Sequence, residues 1–194
     1  MDAVLMHCVR QPRLGVGQDA GMNRPHLLML CWGNICRSPM AERVAQSVAE
    51  ESGLDLLVSS AGVSSEESGR GMDSRARRTL AAHGYDGEGH TARQLTADML
   101  AGVDLVVAAE QYHLDRIEPL LATLDARPEV ALVSDFDPEA NSGDPLPDPW
   151  YGNQDDFEDT LAVLKRATPG MLARAVDDNE RQKPVGRDSI GWGA

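Results

Sequence analysis

The stretch CWGNICRS sets Cys31 and Arg37 at the two ends of a short loop that also carries Gly33, Asn34 and Cys36, with Ser38 directly after it. A phosphate-like oxyanion entering such a loop would meet successive backbone N–H groups from Trp32 to Ser38, and Gly33 allows the chain a tight path. Ser38 reads as the cap of a helix with Pro39 at its first position, where a missing N–H costs nothing. The positive end of that helix points into the loop. Arg37 adds a planar guanidinium fork that matches two phosphate oxygens at once. The helix end and the arginine both favour a thiolate, which makes Cys31 a candidate nucleophile aimed at the bound anion. Taken singly, these residues read as a core cysteine and a surface arginine. Their order, after an apolar run and before a helix, is what carries chemistry.

The rest of the chain supplies that setting. HLLMLC (26–31) reads as a buried strand, and Met40, Val44 and Val48 recur at the spacing of one helix face after it. Further strands are expected at 55–62, 103–109 and 129–136, with helices at 73–84 and about 111–124. Phe157, Leu161 and Leu164 mark a last helix running to about Val176. Strand–helix alternation with near-continuous apolar strands predicts an α/β fold, a four-stranded parallel sheet with helices on both faces in a flavodoxin-like three-layer architecture. Such sheets bind ligands at the carboxyl ends of their strands, which is where Cys31 falls. The expected organisation is a disordered N-terminal extension over 1–24, one domain over 25–176 and a loose C-terminal tail over 177–194.

The totals narrow the function classes. A chain of 194 residues with 42% hydrophobic residues can form one domain with a real core, built mostly of Leu, Val, Ala and Met because only 4% are aromatic. A net charge of −13 without a Lys/Arg run argues against nucleic acid as a partner. No apolar run approaches the roughly 20 residues of a membrane helix, so no membrane partner is expected. The start has no signal-peptide pattern, and three cysteines (Cys8, Cys31, Cys36) are too few for a disulfide scaffold, which fits a cytoplasmic location. There is no CxxC or HExxH, so neither metal nor cofactor is expected. The nucleotide P-loop pattern is absent, and the formal G-x-G-x-x-A match at Gly15, Gly17 and Ala20 lacks a strand before it.

CWGNICRSPMAE resembles the active-site signature of the low-molecular-weight protein tyrosine phosphatases. SSAG (59–62), HTARQLT (90–96), DLVVAAE (104–110), FDP (136–138) and DPWYG (148–152) follow in the order of that family's landmarks. The resemblance implies that Cys31 attacks phosphorus to form a phosphocysteine, Arg37 clamps the phosphoryl oxygens and Asp148 acts as general acid and then base. It implies that Ser38 hydrogen-bonds the thiolate. It further implies a left-handed Asn34 held by Ser60 and His90, and a phosphate-binding loop that includes Trp32, Gly33, Ile35 and Cys36. Trp150 and Tyr151 would wall a slot for a phosphotyrosine ring, so a phosphotyrosine protein or a small aryl phosphate is the implied substrate. Cys36 would be able to close a protective disulfide on Cys31.

Two departures from the family's pattern stand out. VSSEESG puts Glu66 and Glu67 where an aromatic wall residue is usual, and Glu110 replaces the usual aspartate after the third strand. Two other readings share the scaffold. A thiol-dependent arsenate reductase would need further cysteines, and 83–100 has none. A non-catalytic phosphate- or partner-binding module predicts loss of the nucleophile or the acid, yet Cys31, Arg37 and Asp148 are all present.

Overall fold

The first strand, β1 (His26–Cys31), shows why the sheet needs cover on both sides. Leu27, Met29 and Cys31 belong to one buried cluster, whereas Leu28 and Leu30 belong to another, as the two-residue period of a strand requires. A computed structural model describes residues 24–182, with side chains described through 179. Three further strands lie parallel to β1: β2 (Leu57–Gly62), β3 (Leu105–Ala108) and β4 (Glu129–Leu132). Their order is β2-β1-β3-β4, so the chain reverses its direction of growth between β1 and β3.

Among the described residues, five helices cover the two faces. On one, α1 (Arg37–Glu51), α2 (Ser74–Ala82) and α5 (Gln154–Gln182) bury Met40, Val44, Leu80, Phe157, Leu161 and Leu164 against Leu27, Met29, Leu105 and Val107. On the other, α3 (Ala97–Leu100) and α4 (Gln111–Leu121) bury Leu100, Leu114, Ile117 and Leu121 against Leu28, Leu30, Val106 and Ala108. The fold is the expected α/β three-layer arrangement with four parallel strands. The loop after β1 sits at the switch in strand order, the position where such sheets take ligands. No described helix is long and apolar enough to cross a membrane.

Several boundaries differ from those read in the sequence. β4 stops at Leu132 because the Asp135 carboxylate accepts from the Leu132 N–H at 2.8 Å, and the chain turns into a short 3-10 segment instead of continuing to Phe136. α1 starts at Arg37, so Ser38 lies inside the helix and does not cap it. The residue at the cap position is Cys36, which makes no side-chain capping bond. The last helix does not end near Val176 but continues to Gln182, so 177–182 are not tail. The apolar period fades there, but a polar anchor replaces it. Asn179 is buried and its Nδ2 donates to the Asp104 carboxylate at 3.3 Å, while Asp104 also accepts from the His26 N–H at 2.7 Å. The expected extension up to residue 23 and the tail from 183 on lie outside the described residues.

This anchor ties the end of α5 to the starts of β1 and β3. Asn179→Ala is expected to lower the unfolding free energy by about 1 kcal/mol, read from the denaturant midpoint. An unchanged midpoint would show that the helix end contributes nothing to the domain.

Candidate active site

The loop between β1 and α1 is held from outside by its carbonyls. Trp32 O accepts from Ser64 N at 3.0 Å, Asn34 O from the His90 ring at 2.7 Å and Ile35 O from Asp73 N at 2.9 Å. Across a trans peptide the following N–H points the opposite way, so the N–H groups of Gly33, Ile35 and Cys36 turn toward the inside of the loop. The loop also lies directly on β2. A Cβ on Gly62 would come within 2.6 Å of Trp32 O, so only glycine lets the backbone approach so closely.

Asn34 shapes the turn. It is fully buried and has φ 58°, the only non-glycine residue among those described in the left-handed region. Its amide is satisfied on every side: Nδ2 donates to Ser38 Oγ at 2.9 Å and to Ser60 Oγ at 2.8 Å, and Oδ1 accepts from Arg93 N at 3.1 Å. Ser60 in turn donates to the Glu42 carboxylate. Because Asn34 O can only accept, His90 Nε2 carries the proton of their bond. Burial holds His90 below the ordinary histidine pKa, so the ring is a neutral strut. Ser38, freed from capping, sets its Oγ 3.0 Å from Cys31 Sγ and 3.3 Å from Ala61 O.

Arg37 is the most constrained charge in the site. Its side chain is 3% exposed and is met by Glu110 at Nη1, by Leu146 O at 3.0 Å and by Asp148 Oδ2 at 2.7 Å from Nη2. Glu110, the departure from the usual aspartate, thus pairs its half-buried carboxylate with the buried guanidinium. Asp148 caps the short turn Pro149–Tyr151, its Oδ1 accepting from Trp150 N at 3.1 Å. That turn is fixed by Arg75, which binds Asp73 and the carbonyls of Trp150 and Gly152 and packs over the rings of Trp150 and Phe157.

These groups surround one cleft of about 140 Å³, walled by Cys31, Trp32, Gly33, Ile35, Cys36 and Arg37 on the loop side and by Asp148, Trp150 and Tyr151 across from it. Glu66 and Glu67 complete the mouth. The structure therefore brings together the site residues implied by the resemblance, with Asn34, Ser38, Ser60 and His90 behind the wall, whereas Cys8, Gly15, Gly17 and Ala20 lie outside the described residues. Cys31 and Cys36 are both free, buried thiols, and burial followed by the charge of Asp73 pushes the Cys36 thiol far up. Among the described residues no group of three or more His, Cys, Asp or Glu is placed to hold a metal ion.

The sequence reading missed the supports: Glu42, Gly62, Arg75, Arg93 and His113. Gly62 and Arg93 fall inside the landmarks SSAG and HTARQLT without a role of their own, and for His113 the signal is its helical spacing from Glu110 directly after β3. His113 is 2% exposed, with Nε2 3.9 Å from Glu110, and burial followed by the charge of Arg37 lowers its pKa to about 4. Between pH 6.5 and about 4 the unfolded chain therefore binds a proton that the folded chain refuses, so stability falls as pH drops through that window. The shift corresponds to up to about 3 kcal/mol. His26 and His90 are lowered too and add slope of the same sign. Denaturation of His113→Gln between pH 6.5 and 5 is expected to show a distinctly shallower loss of stability than the wild type; identical slopes would mean that His113 does not stay neutral in the fold.

The comparisons with known proteins agree with this geometry. The family model for low molecular weight phosphotyrosine protein phosphatase matches residues 26–182. A low molecular weight protein-tyrosine-phosphatase of Streptomyces coelicolor is 42% identical over 147 residues, covering 74% of this chain and 89% of that protein. Low molecular weight protein-tyrosine phosphatase A of Mycobacterium tuberculosis is 38% identical over 149 residues, covering 75% of this chain and 88% of its own. Among solved structures, Vibrio vulnificus Wzb in complex with benzylphosphonate superposes with a TM-score of 0.66 at 25% identity, covering 77% of this chain and 97% of that one. The matched residues include the Cys31–Ser38 loop, Glu110 and the Asp148–Tyr151 turn, and the chain belongs to the low molecular weight phosphotyrosine protein phosphatase family.

Proposed function

We propose that this protein removes phosphate from phosphotyrosine-type monoesters, a phosphotyrosine protein or a small aryl phosphate, through a phosphocysteine. The observation that carries the reading is the cleft itself, with Cys31 at its floor, Arg37 on its wall and Asp148 facing them. The inward N–H groups of the loop, the N-terminus of α1 and Arg37 receive the phosphoryl oxygens. Cys31 sulfur attacks phosphorus, the bond to the aryl oxygen breaks, and Asp148 gives its proton to the departing phenolate. Water then attacks phosphorus, Asp148 takes a proton from it, and the P–S bond breaks. The Ser38 hydroxyl, 3.0 Å from the sulfur, donates to the thiolate as it leaves.

The ion pairs around Arg37 divide these duties. Glu110 and Leu146 O hold one side of the guanidinium, so its position does not depend on substrate. Asp148 holds the other nitrogen at 2.7 Å, where a phosphoryl oxygen would bind. Incoming phosphate takes that nitrogen and releases Asp148, which takes up a proton from the substrate monoanion or from solvent before delivering it to the leaving oxygen. The ring of the substrate packs between Trp32 and the Trp150–Tyr151 turn.

The catalytic domain in this reading spans 25–182, and its thiol chemistry suits a reducing cytoplasm. The raised Cys36 thiol works against fast closure of a guarding disulfide, because the thiolate is the attacking form.

Hydrolysis of para-nitrophenyl phosphate tests the reading. The wild type is expected to turn over and Cys31→Ser to lose at least about 10³-fold in kcat. Hydrolysis surviving that substitution would remove Cys31 as nucleophile, and hydrolysis by neither protein would favour a phosphate-binding module. Asp148→Ala is expected to lose about 10²–10⁴-fold in kcat while inorganic phosphate inhibits it as well as or better than the wild type, since a competing carboxylate is gone. Weaker phosphate inhibition would show that Asp148 helps to hold the anion instead of yielding to it.

A further inference from the structure

Two adjacent carboxylates at the cleft mouth are not equivalent. Glu67 pairs with Arg70 at 2.5 Å and its side chain is 19% exposed. It also packs against the loop, since a Cβ on Gly33 would lie 2.8 Å from Glu67 Cγ. Its charge is answered and its stem is part of the wall. Glu66 is exposed, and its Oε2 accepts from the Trp32 indole N–H at 2.9 Å. That donor is neutral, so it fixes the carboxylate at the rim without cancelling its charge. Among the described residues no Lys, Arg or His forms an ion pair with Glu66.

The other charges near the mouth have partners. Arg75 is committed to Asp73 and to the carbonyls of Trp150 and Gly152. Glu110 and Asp148 face Arg37. Arg116 lies over the rings of Trp32 and Tyr112, which stack on one another with centroids 5.9 Å apart. The indole that Glu66 grips is therefore clamped on its face as well as its edge, and the carboxylate is held on a rigid support. A substrate residue beside the phosphotyrosine passes this rim while the phosphate sits at the floor.

We infer that Glu66 is a specificity-determining residue, and that the cleft selects phosphotyrosyl substrates carrying a positive side chain next to the phosphorylated residue. This rests on the phosphatase reading and names the substrate class for the same site. The net charge of −13 acts in the same direction, because it draws basic substrates toward the protein and slows acidic ones.

The test compares kcat/KM for two phosphotyrosine peptides that differ only in flanking residues, Lys/Arg against Asp/Glu. The wild type is expected to prefer the basic peptide by about 5- to 20-fold at low salt, and the preference shrinks as salt is raised. Glu66→Gln keeps an oxygen to accept from Trp32 while removing the charge, and is expected to cut that preference by about threefold or more. Glu67→Gln is the matched control and is expected to leave it within about twofold, because its charge is already paired. A wild type without the preference, or a preference that survives Glu66→Gln, would overturn the inference. Hydrolysis of para-nitrophenyl phosphate by the wild type decides the phosphatase reading separately, so failure of one is not mistaken for failure of the other.

Discussion

A guanidinium that is 3% exposed must be matched by fixed negative or polar groups, and much of this site follows from that requirement. Arg37 draws its partners from two distant parts of the chain: Glu110 after β3, and Leu146 O with Asp148 from the long loop before α5. Those contacts bring the Asp-Pro-Trp-Tyr turn over the thiol loop, although the two are more than a hundred residues apart in sequence. The pairing is also lopsided. Two carboxylates, each with a 34% exposed side chain, share one arginine, so the unliganded site carries a surplus of negative charge beside the anion-binding loop. Of the two, Asp148 lines the cleft and Glu110 does not, so in the proposed reading Asp148 is the carboxylate that an entering anion meets.

The second constraint is backbone shape. A loop that directs successive N–H groups inward must direct its carbonyls outward, and each carbonyl then needs a donor. Here Ser64, Asp73 and His90 provide them from β2's continuation, the start of α2 and the loop before α3. Asn34 takes the one strained conformation, and its side chain is bonded to Ser38, Ser60 and Arg93 N. The chain Glu42–Ser60–Asn34–Ser38 ends 3.0 Å from Cys31 sulfur, so the group that shapes the loop and the group beside the thiol are bonded to each other. Hydrogen bonds in such a chain polarise one another, which makes its members harder to replace singly.

Which parts were legible in the sequence follows from how local their causes are. Strand β1, the thiol loop and the helix after it are specified by neighbouring residues, through apolar run, glycine, and Ser-Pro, and they appear where the sequence puts them. Ser38 shows the limit: its type suits a cap, but tertiary partners claim its hydroxyl for Cys31 and Asn34, and the helix begins two residues earlier without a side-chain cap. The end of α5 fails for a related reason. Asp178 and Asn179 look like tail residues by polarity, but Asp178 lies 3.5 Å from the Arg174 guanidinium and Asn179 donates to the buried Asp104 at the base of β3. Glu110 and His113 are of the same kind, visible as types but given meaning by the arginine they face. Asn34, Ser60 and His90 were assignable only through resemblance to a family pattern, since no local rule links residues 26 and 56 positions apart.

An acidic protein that binds an anion needs its attraction to be short-ranged. At physiological ionic strength, charges more than about 8 Å apart are largely screened, so the net charge of −13 is felt mainly during approach. At the floor, the inward N–H groups, the end of α1 and Arg37 act at contact distance inside a partly dry cleft, where the same screening does not reach. The two regimes allow the floor and the mouth to prefer opposite signs. A phosphate group is held by the loop regardless of the surface, whereas the residues around it are judged by Glu66 and the acidic exterior. The sign preference of the whole substrate is then set by its flanks and not by its phosphate, which is a property of how this chain filled the wall with carboxylates instead of an aromatic ring.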